Sequence, residues 1–525
     1  MGQAIGIDLG TTTTIVTYKN RKGKWKQLRI HGDSAIPSVL YFRKRGDEDY
    51  CIGREALQLQ AQNPHAAVAE FKRHLGDRDY LYEVTAEDGT TFSLRPRKAA
   101  ILFLQKVLDE AENTLLREFA GDGTVEDAVL TVPAKFNLAQ KKETRIAASD
   151  SGLADVKLTA EPTAAAVAAA EEGDLADGES VLVYDFGGGT FDVSVIQRQK
   201  GAFHEVATNG LAKLGGSDLT RHLMEQLAFQ AEADYGVTIP VEDGDENAPD
   251  ENEMSLLDWK RNLQYLREAA EQTKIALSDP DNDPCPVTCQ LMIRGQLEIL
   301  QTTVTRAEFE NAIRKEIERT MDITRATIQE AHERGIDHID RFVLAGGSSS
   351  IPLIHEMIES ELQQQECSDS DEAKTLISKG AAMLANEAEL STDAITNVQY
   401  GVVSAEGMML QKFQPIIREN EPLPCSGTKT FYLARDGQQA LDIEYYERDI
   451  KNSPRAMDLI ETIHIGNLPE GLKKADTQID VTFTVLLDGV NIDVHVQDAA
   501  GNEIQTKNLK IEKGSDLWSD EDASD

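Results

Sequence analysis

The sequence predicts a two-lobed α/β domain followed by an all-β antiparallel sandwich. Three observations support this prediction. Two glycine-rich turns, at residues 8–13 and 185–192, each follow a short apolar strand. Residues 1–386 alternate strand, glycine turn and helix. From about residue 398 to 511 the pattern changes to short strands that alternate apolar and polar residues.

The two turns have the composition of phosphate-binding loops. The first reads DLGTTT after the apolar residues 4–7, and the second reads DFGGGTFD after residues 181–184. Glycines let backbone N–H groups approach a polyanion, and threonine hydroxyls add donors. Either turn alone could be a plain hairpin loop, but the pair predicts a duplicated fold that holds a nucleotide from both sides. The residues assigned to phosphate contact are Gly10, Thr11, Thr12, Thr13, Gly187, Gly188, Gly189 and Thr190.

Two further glycine turns strengthen this interpretation. Residues 342–350 (FVLAGGSSS) form a strand that ends in glycines, and a helix is expected to open at 351–352. Residues 215–218 (GGSD) lead into a helix from about Leu219. Four such turns fit one phosphate and sugar pocket better than four unrelated loops. The added residues are Gly215, Gly216, Gly346, Gly347 and Ser348.

The charge balance excludes some functions. The 525 residues carry 53 Lys and Arg against 91 Asp and Glu, a net charge of −38. Such an acid excess argues against nucleic acid or an anionic membrane as a partner. No apolar run reaches the length of a membrane span, and no signal segment opens the chain, so we expect a cytoplasmic protein. Of the five cysteines, only Cys285 and Cys289 lie close in sequence, and we expect both to be ordinary reduced thiols.

Composition divides the chain into four parts. Residues 1–386 form the two-lobed domain, with a second lobe that starts near residue 180 and an acidic insert at 241–253. Residues 387–398 form a linker, 399–512 the sandwich, and 513–525 an acidic tail that we expect to be disordered. The insert predicts a solvated loop, with a docking site for a basic partner as the alternative.

The motifs resemble those of the heat-shock seventy-kilodalton chaperones of the DnaK type, within the actin and sugar-kinase superfamily. The resemblance implies an actin-like ATPase domain and a peptide-binding sandwich. Its cofactors would be ATP or ADP, Mg²⁺ and, as a further candidate, K⁺. The matching segments are residues 7–12 (IDLGTT), 71–73 (FKR), 131–134 (TVPA), 161–166 (EPTAAA), 185–195 (DFGGGTFDVSV) and 346–348 (GGS).

The resemblance also implies catalytic roles. Lys72 matches the lysine that orients the attacking water, although alone it would be interpreted as a surface base. Glu161 matches a residue of the magnesium-bound water network, although a carboxylate at a helix start is usually a cap. Asp8 and Asp185 would hold Mg²⁺ through water, since Mg²⁺ keeps most of its hydration shell. Thr190 would donate to the γ-phosphate, and Asp192 would complete a monovalent cation site. We expect slow hydrolysis.

Residues 259–278 predict a helix that by resemblance contacts adenosine through Glu271, Lys274 and Ser278. The alternative is a solvent-facing helix with an i,i+3 Glu–Lys pair. The family commonly flanks adenine with two arginines, whereas the aligned positions here are Ile275 and Ser350. We therefore expect weaker adenine binding.

Two features concern communication between domains. Pro133 and Lys141 match a family switch, with Lys141 where arginine is usual, although Pro133 could equally be a strand terminator. The linker contains ELSTDAI at 389–395 in place of a leucine-rich core. Each lost leucine removes roughly 1.5–3 kcal/mol of burial, so we expect linker docking to be much weaker than in the family.

The sandwich strands are predicted at residues 431–433, 441–446, 479–485 and 490–496. By resemblance an extended peptide would lie against apolar pockets of this sandwich. Ordinary core positions are the alternative, above all for Phe431 and Ile443. We expect no helical lid, and hence fast peptide exchange. The predicted peptide contacts are Val402, Ala405, Phe431, Ala434, Leu441 and Ile443.

We therefore expect a monomeric, ATP-hydrolysing chaperone that binds unfolded or client polypeptides. A J-domain partner and a nucleotide exchange factor are implied by the family alone. The first alternative is a nucleotide-sensing scaffold with little hydrolysis or peptide binding. The second is a sugar kinase, against which the sandwich and the phosphate motifs argue.

Overall fold

The computed structural model describes most of the chain. Residues 243–246 and 251–253 of the acidic insert and the tail from 512 onward lie outside the described residues, so the expectations for the insert, lid and tail stay predictions. The described residues are 3–45, 49–77, 79–119, 123–153, 156–173, 175–242, 247–250, 254–362, 373–387, 390, 392–396, 398–406, 410–449, 457–486, 489–498 and 500–511.

The first lobe is built on a mixed sheet with strand order β11-β10-β1-β2-β3, and β4 pairs with β2. A three-stranded sheet (β6-β5-β7) and a hairpin (β8-β9) complete its strands. The strand bounds are β1 (Gln3–Leu9), β2 (Thr13–Lys19), β3 (Trp25–Gln27), β4 (Ile36–Pro37), β5 (Val39–Phe42), β6 (Tyr50–Ile52), β7 (Ala67–Ala69), β8 (Tyr82–Thr85), β9 (Thr91–Leu94), β10 (Val125–Val132) and β11 (Val156–Ala160). The helices are α1 (Gly53–Gln62), α2 (Pro96–Phe119), α3 (Leu138–Asp150) and α4 (Glu161–Gly173).

The second lobe repeats the central arrangement of the first. In the first lobe β1 runs antiparallel to β2 and parallel to β10. In the second, β12 runs antiparallel to β13 and parallel to β17. Each glycine-rich turn is therefore the tip of a hairpin, as the two motifs predicted. The strands are β12 (Ser180–Phe186), β13 (Phe191–Gln199), β14 (Ala202–Leu211), β15 (Cys285–Ile293), β16 (Gln296–Val304) and β17 (Arg341–Ala345).

The three helices of this lobe that the sequence predicts, α5, α6 and α8, begin close to their predicted starts. The predicted 259–278 helix begins earlier, because Ser255 accepts the N–H of Asp258 and caps it. The helices are α5 (Gly216–Tyr235), α6 (Leu256–Leu277), α7 (Arg306–Glu333), α8 (Pro352–Leu362) and α9 (Leu376–Asn386). No helix in the described ranges is long and apolar enough to cross a membrane.

Helices α4 and α9 pack between the two sheets. A Cβ on Gly380 of α9 would collide with the carbonyl of Ala164 in α4. A Cβ on Gly6 of β1 would likewise collide with the backbone of Ala382. These glycines let α9 return to the first lobe, so that lobe is not confined to the residues before 180.

The last eight described strands form two four-stranded antiparallel sheets, in the orders β20-β19-β22-β23 and β21-β24-β25-β26. The sheets share one core that includes Tyr445 and Phe483, and Leu138 of α3 joins it. The strands are β19 (Gln399–Glu406), β20 (Leu410–Ile417), β21 (Cys425–Tyr432), β22 (Leu441–Arg448), β23 (Asp458–Ile465), β24 (Gln478–Leu486), β25 (Gly489–Gln497) and β26 (Glu503–Ile511).

The linker segment lies against the second lobe. Its strand β18 (Thr392–Asp393) pairs in parallel with β14. Ile395 is buried, and its N–H is donated to Glu205 over 3.4 Å. The segment therefore docks in this arrangement without a leucine-rich core, and the strength of docking stays a prediction.

Candidate functional site

The two hairpin turns meet face to face. Thr12 lies so close to Gly188 that a Cβ on the glycine would collide with the threonine side chain. Thr11 and Gly189 have the same relationship. Only glycine fits at these two positions while the lobes are closed, and Thr12 and Thr13 remain exposed at the rim.

The other two turns converge on the second hairpin. The N–H groups of Gly216 and Ser217 donate to the carbonyls of Gly187 and Gly188 over 2.9 and 2.8 Å. Ser348 donates its hydroxyl to Gly187 over 3.1 Å. Gly346 has a φ of +79°, and Gly347 opens the short 3₁₀ turn after it. All four predicted turns thus meet between the two lobes. The N-terminus of α5 faces the same point.

A buried ion pair lies next to the four turns. Lys72 Nζ donates to Glu161 Oε1 over 2.6 Å, and both side chains are buried. Lys72 comes from a 3₁₀ turn of the first lobe, and Glu161 is the first residue of α4. The ring of Phe136 lies 5.7 Å from the ammonium and covers it. The surface-base alternative for Lys72 is therefore wrong.

Three aspartates surround the pair, of which Asp185 and Asp192 are buried and Asp8 is partly exposed. Burial, helped by the charge of Glu161, raises the pKa of Asp8 to about 7 and the pKa of Asp185 well above its usual range. The same two causes raise the pKa of Asp192 to about 7. The charge of Lys72 opposes all three shifts. Asp8, Asp185, Asp192 and Glu161 bring four carboxylates together, and the two ammonium groups that act on them, those of Lys72 and Lys135, leave the cluster short of positive charge.

This deficit fits a hydrated Mg²⁺. One oxygen of Asp185 and one of Asp192 are buried and have no hydrogen-bond partner among the described residues. Within the described ranges, no three acidic, histidine or cysteine side chains converge closely enough to bind a metal directly. Because Mg²⁺ usually keeps several of its waters, Asp8 and Asp185 fit as holders of its hydration shell.

The adenosine residues predicted on α6 form a network. Lys274 Nζ donates to the Gly216 carbonyl over 3.0 Å and to Glu271 over 2.7 Å. Thr220 donates to the same carboxylate over 2.6 Å. Ser278 is the C-cap of α6 and donates to the Lys274 carbonyl over 3.1 Å. Lys274 is buried, so the solvent-facing alternative is wrong for this residue.

Two positions beside this network lack the arginines of the family. Ile275 is 50% exposed on the outer side of α6. The hydroxyl of Ser350 is enclosed and has no hydrogen-bond partner among the described residues. An enclosed hydroxyl without a hydrogen-bond partner is suited to bind a ligand atom.

Sequence reasoning missed a clasp across the lobes. Arg73 donates to Asp218 over 2.6 Å and to the Gly189 carbonyl over 3.3 Å. Ser217 donates to Glu70 over 3.0 Å, and Glu70 has a left-handed backbone with φ of 53°. Both contacts join the 3₁₀ turn that carries Lys72 to the start of α5. Arg73, the charged residue next to Lys72 in the FKR motif, was the available signal.

Of the two predicted switch residues, Lys141 lies close enough to the sandwich for its charge to act on Glu447. Pro133 is buried and directly follows β10, which ends at Val132, so its strand-terminating role is observed. The Leu138 N–H, one turn before Lys141, donates to Glu447 of the sandwich over 3.4 Å. Arg334 donates to the Asn420 carbonyl over 2.8 Å.

The predicted peptide contacts differ in exposure. Val402 and Ile443 are 3% and 8% exposed and lie in the sandwich core. Phe431 and Leu441 are half-buried against the same core, and Ala434 is exposed. Ala405 lies in β19, but its side chain is outside the described part of the structure. The structure therefore places four of the six at or in the core.

Nearly the whole chain matches known proteins. A family model described as "Hsp70 protein" matches residues 4–524. Two curated relatives, both named chaperone protein DnaK, come from strains R1 and NRC-1 of Halobacterium salinarum. Each is 30% identical over 520 residues, which cover 98% of this chain and 75% of the relative.

Proposed function

The chain belongs to the Hsp70 family and is therefore an ATPase and a chaperone; we propose that it hydrolyses MgATP where its four glycine turns meet, and binds extended apolar segments of client polypeptides on its sandwich. The ATPase unit would be the actin-like domain of residues 1–386. The linker would span 387–398 and the peptide-binding domain 399–512.

The buried Lys72–Glu161 pair beside the glycine turns carries this proposal. Phosphoryl transfer to water needs a positioned water and charge stabilisation more than it needs a strong base. The Lys72 ammonium offers both, since Glu161 holds it by one hydrogen bond and leaves its other protons for a phosphate oxygen and the water. Thr190 would donate to the γ-phosphate. The remaining predicted glycine and serine contacts would surround the phosphates.

The carboxylates complete the site. Asp8 and Asp185 would hold the waters of Mg²⁺, and Asp192 a monovalent cation such as K⁺. When bound, Mg²⁺ neutralises charge on the phosphates. The positive charge of the ion would also relieve the repulsion among the carboxylates of the site. Glu271, Lys274 and Ser278 would position the ribose.

The closed contact of the turns supports slow turnover. Thr11 and Thr12 leave no free space beside Gly189 and Gly188. Nucleotide exchange therefore requires the lobes to separate and the Arg73–Asp218 pair to break. Motions of this kind limit turnover in many enzymes.

Client binding is proposed for the sandwich edge near Phe431, Ala434 and Leu441. Because Val402 and Ile443 are buried, their contact with a peptide requires local opening of the core. The linker, which has lost its leucine core, would couple the domains weakly. A J-domain co-chaperone and a nucleotide exchange factor would assist a cytoplasmic monomer.

Single-turnover ATP hydrolysis tests the proposal, in the wild type and in Lys72→Ala. We expect the variant to bind ATP and to hydrolyse it at least about 100-fold more slowly. Lys142→Ala is the matched control, because Lys142 is also a buried lysine but lies on α3 outside the site. Unchanged hydrolysis in Lys72→Ala would refute the assignment.

A second arm tests the client. An unfolded apolar peptide is added to the same reaction, and its binding is followed by fluorescence anisotropy. Binding with a modest acceleration supports a weakly coupled chaperone. ATP binding without hydrolysis in the wild type would favour the nucleotide-sensing scaffold instead.

A further inference from the structure

The hairpin between β2 and β3 is basic, although the protein as a whole is strongly acidic. Residues 19–29 (KNRKGKWKQLR) contain six Lys or Arg and no Asp or Glu, whereas the chain has a net charge of −38. No ion pair is found for Lys22, Lys24 or Lys26 within the described ranges. Their charge is therefore available to a partner. The exposed basic residues of the hairpin are Arg21, Lys22, Lys24, Lys26 and Arg29.

The hairpin borders a surface cleft of 590 Å³. One wall comes from the hairpin, with Lys24 and Trp25, and another comes from α9, with Leu376 and Lys379. Trp25 is half-buried and packs against the core that α4 and α9 share. The cleft thus combines an apolar lining, from Trp25 and Leu376, with a lysine on each wall. Its volume is that of a typical ligand site, about 300–1,000 Å³.

The lysines of this cleft can change partners. Lys379 Nζ lies 3.9 Å from Glu171 Oε2, and Lys19 Nζ lies 3.3 Å from Glu387 Oε1. The Lys19 ammonium also lies 4.9 Å from the centre of the Trp25 ring. All four charged side chains are partly exposed, and ion pairs at such positions contribute little because water screens them. A carboxylate of a ligand can therefore replace either partner at little cost.

The charge of the rest of the molecule restricts which anion can bind here. At physiological ionic strength, charges act over a Debye length of about 8 Å. A membrane or a long nucleic acid extends well beyond that distance, so it would also meet the acidic surface around the hairpin. A single extended peptide is narrow enough to contact the cleft and the hairpin alone. The apolar lining favours a peptide that carries an apolar residue among its acidic ones.

The cleft is separate from the phosphate turns. Strand β2 begins at Thr13, beside the first phosphate turn, and ends at Lys19. At the rise of an antiparallel strand, this length places the hairpin about 20 Å from that turn. A ligand in the cleft therefore leaves the phosphate turns unobstructed, and its binding does not require a nucleotide.

We propose that this cleft and the basic hairpin beside it form a second protein-binding surface, which binds acidic peptide segments of partner proteins. Carboxylates of the segment would accept charge-assisted hydrogen bonds from Lys24 and Lys379, and its apolar residue would pack on Trp25. The surface lies outside the sandwich, so the proposal does not depend on the client site. A partner with both an acidic and an apolar segment would contact both surfaces and gain from the higher effective concentration.

Fluorescence anisotropy on the full-length protein, without nucleotide, tests the proposal. The probe is a labelled peptide of alternating Asp and Glu with one central Leu, and the comparison is the same peptide with Asn and Gln in place of the acids. We expect the neutral peptide to bind at least about 10-fold more weakly. Raising KCl from about 0.1 to about 1 M shortens the Debye length from about 10 to about 3 Å and should weaken binding of the acidic peptide at least about 10-fold.

Charge reversal locates the site. Lys22→Glu/Lys24→Glu should lower the affinity for the acidic peptide at least about 10-fold. Lys44→Glu/Arg45→Glu is the matched control, because both residues are exposed in the same lobe and the net charge changes by the same amount. This control should bind within about 2-fold of the wild type. Melting followed by circular dichroism checks the fold of both variants. If the reversal unfolds the protein, Lys22→Gln/Lys24→Gln should still show a smaller loss of affinity.

Four outcomes would overturn the proposal. Equal losses in the two reversal variants would show that net charge alone governs binding. Displacement of the acidic peptide by an excess of unfolded apolar peptide would place its site on the sandwich. Tighter binding of an oligothymidylate, or of vesicles of phosphatidylcholine and phosphatidylserine in equal amounts, would assign the surface to nucleic acid or to a membrane. Self-association that is lost in Lys22→Glu/Lys24→Glu would make a second copy of this acidic chain the occupant.

Discussion

Lys72 donates a 2.6 Å hydrogen bond to Glu161, and this contact joins a 3₁₀ turn of the first lobe to the first residue of α4. Both side chains are almost completely buried. An unpaired buried charge is costly, so each residue offsets the cost of burying the other. The pair also stands among Asp8, Asp185 and Asp192, whose pKa values the charge of Glu161 raises and the charge of Lys72 lowers.

Replacing Glu161 by Gln should slow hydrolysis. The amide keeps the shape of the side chain but removes the charge that positions the Lys72 ammonium. We expect single-turnover hydrolysis to fall about 10–100-fold with little change in ATP affinity. Glu143→Gln is the control, because Glu143 is a buried carboxylate paired with Arg97 outside the site. Equal rates in Glu161→Gln and the wild type would show that the pair has only a structural role.

Gly189→Ala should weaken nucleotide binding by holding the lobes apart. The new methyl group would occupy the space now filled by the Thr11 side chain. We expect ATP affinity, measured by calorimetry, to fall by a factor of 10 or so, about 1.4 kcal/mol. Combining it with Thr11→Ala removes the hydroxyl and methyl groups that collide and should restore part of the affinity. No rescue in the double variant would mean that the collision does not cause the loss.

Ile275→Arg should strengthen nucleotide binding. Ile275 is half exposed beside the Lys274 network, at a position where the family commonly has arginine. A guanidinium stacked on adenine contributes about 0.5–2 kcal/mol, so we expect affinity for ADP to rise about 2–30-fold. Ile299→Arg, also half exposed but on β16, controls for the added charge. If Ile275→Arg and Ile299→Arg raise the affinity for ADP equally, the added charge and not stacking on adenine causes the gain.

Docking of the sandwich should weaken as pH rises through neutrality. Burial raises the pKa of Glu447 from 4.5 to about 7, with Asp458 adding to the shift and the Leu138 N–H and Lys141 opposing it. A raised pKa contributes stability that is fully present below 4.5 and is lost as pH rises through about 7. The radius of gyration from X-ray scattering should therefore be larger at pH 8.5 than at pH 6.

Glu447→Gln is the control for this pH dependence. Its amide cannot ionise, so the scattering profile should change much less with pH. If the variant shows the same pH dependence as the wild type, another group must cause it. Glu205, whose pKa burial also raises, is then the next residue to replace.

Salt should stabilise the protein markedly. At a net charge of −38, repulsion between surface carboxylates opposes the compact state. Salt at about 1 M shortens the Debye length to about 3 Å and screens this repulsion. We expect the melting temperature from calorimetry to rise steadily between 0.1 and 2 M KCl. A flat or falling curve would show that the excess charge does not limit stability.

The strand arrangement and the position of the phosphate turns were predictable from local sequence. Each turn couples an apolar strand to glycines, and such patterns depend on neighbours in the chain. The predicted helix over 259–278 was also found, with its start moved by the Ser255 cap. The Arg73–Asp218 clasp was not predicted, because its two residues are 145 positions apart.

The burial of the lysines could not be inferred either. Nothing in the sequence around Lys72 or Lys274 distinguishes them from surface lysines, and only the packing of Phe136 and α5 encloses them. For Val402 and Ile443, in contrast, the inward orientation was predictable but the contact that it makes was not. Their alternating pattern marks them as facing inward, but whether that face meets a peptide or the opposite sheet depends on how the sheets pack.

The sequence by itself determined the family, the duplicated lobes and the set of glycine, threonine and aspartate residues at the phosphate turns, because these follow from contiguous motifs and strand periodicity. Only the tertiary structure decided which charges meet. The Lys72–Glu161 and Arg73–Asp218 pairs bring together residues from distant segments. Their burial is a property of the packed molecule and not of any segment alone.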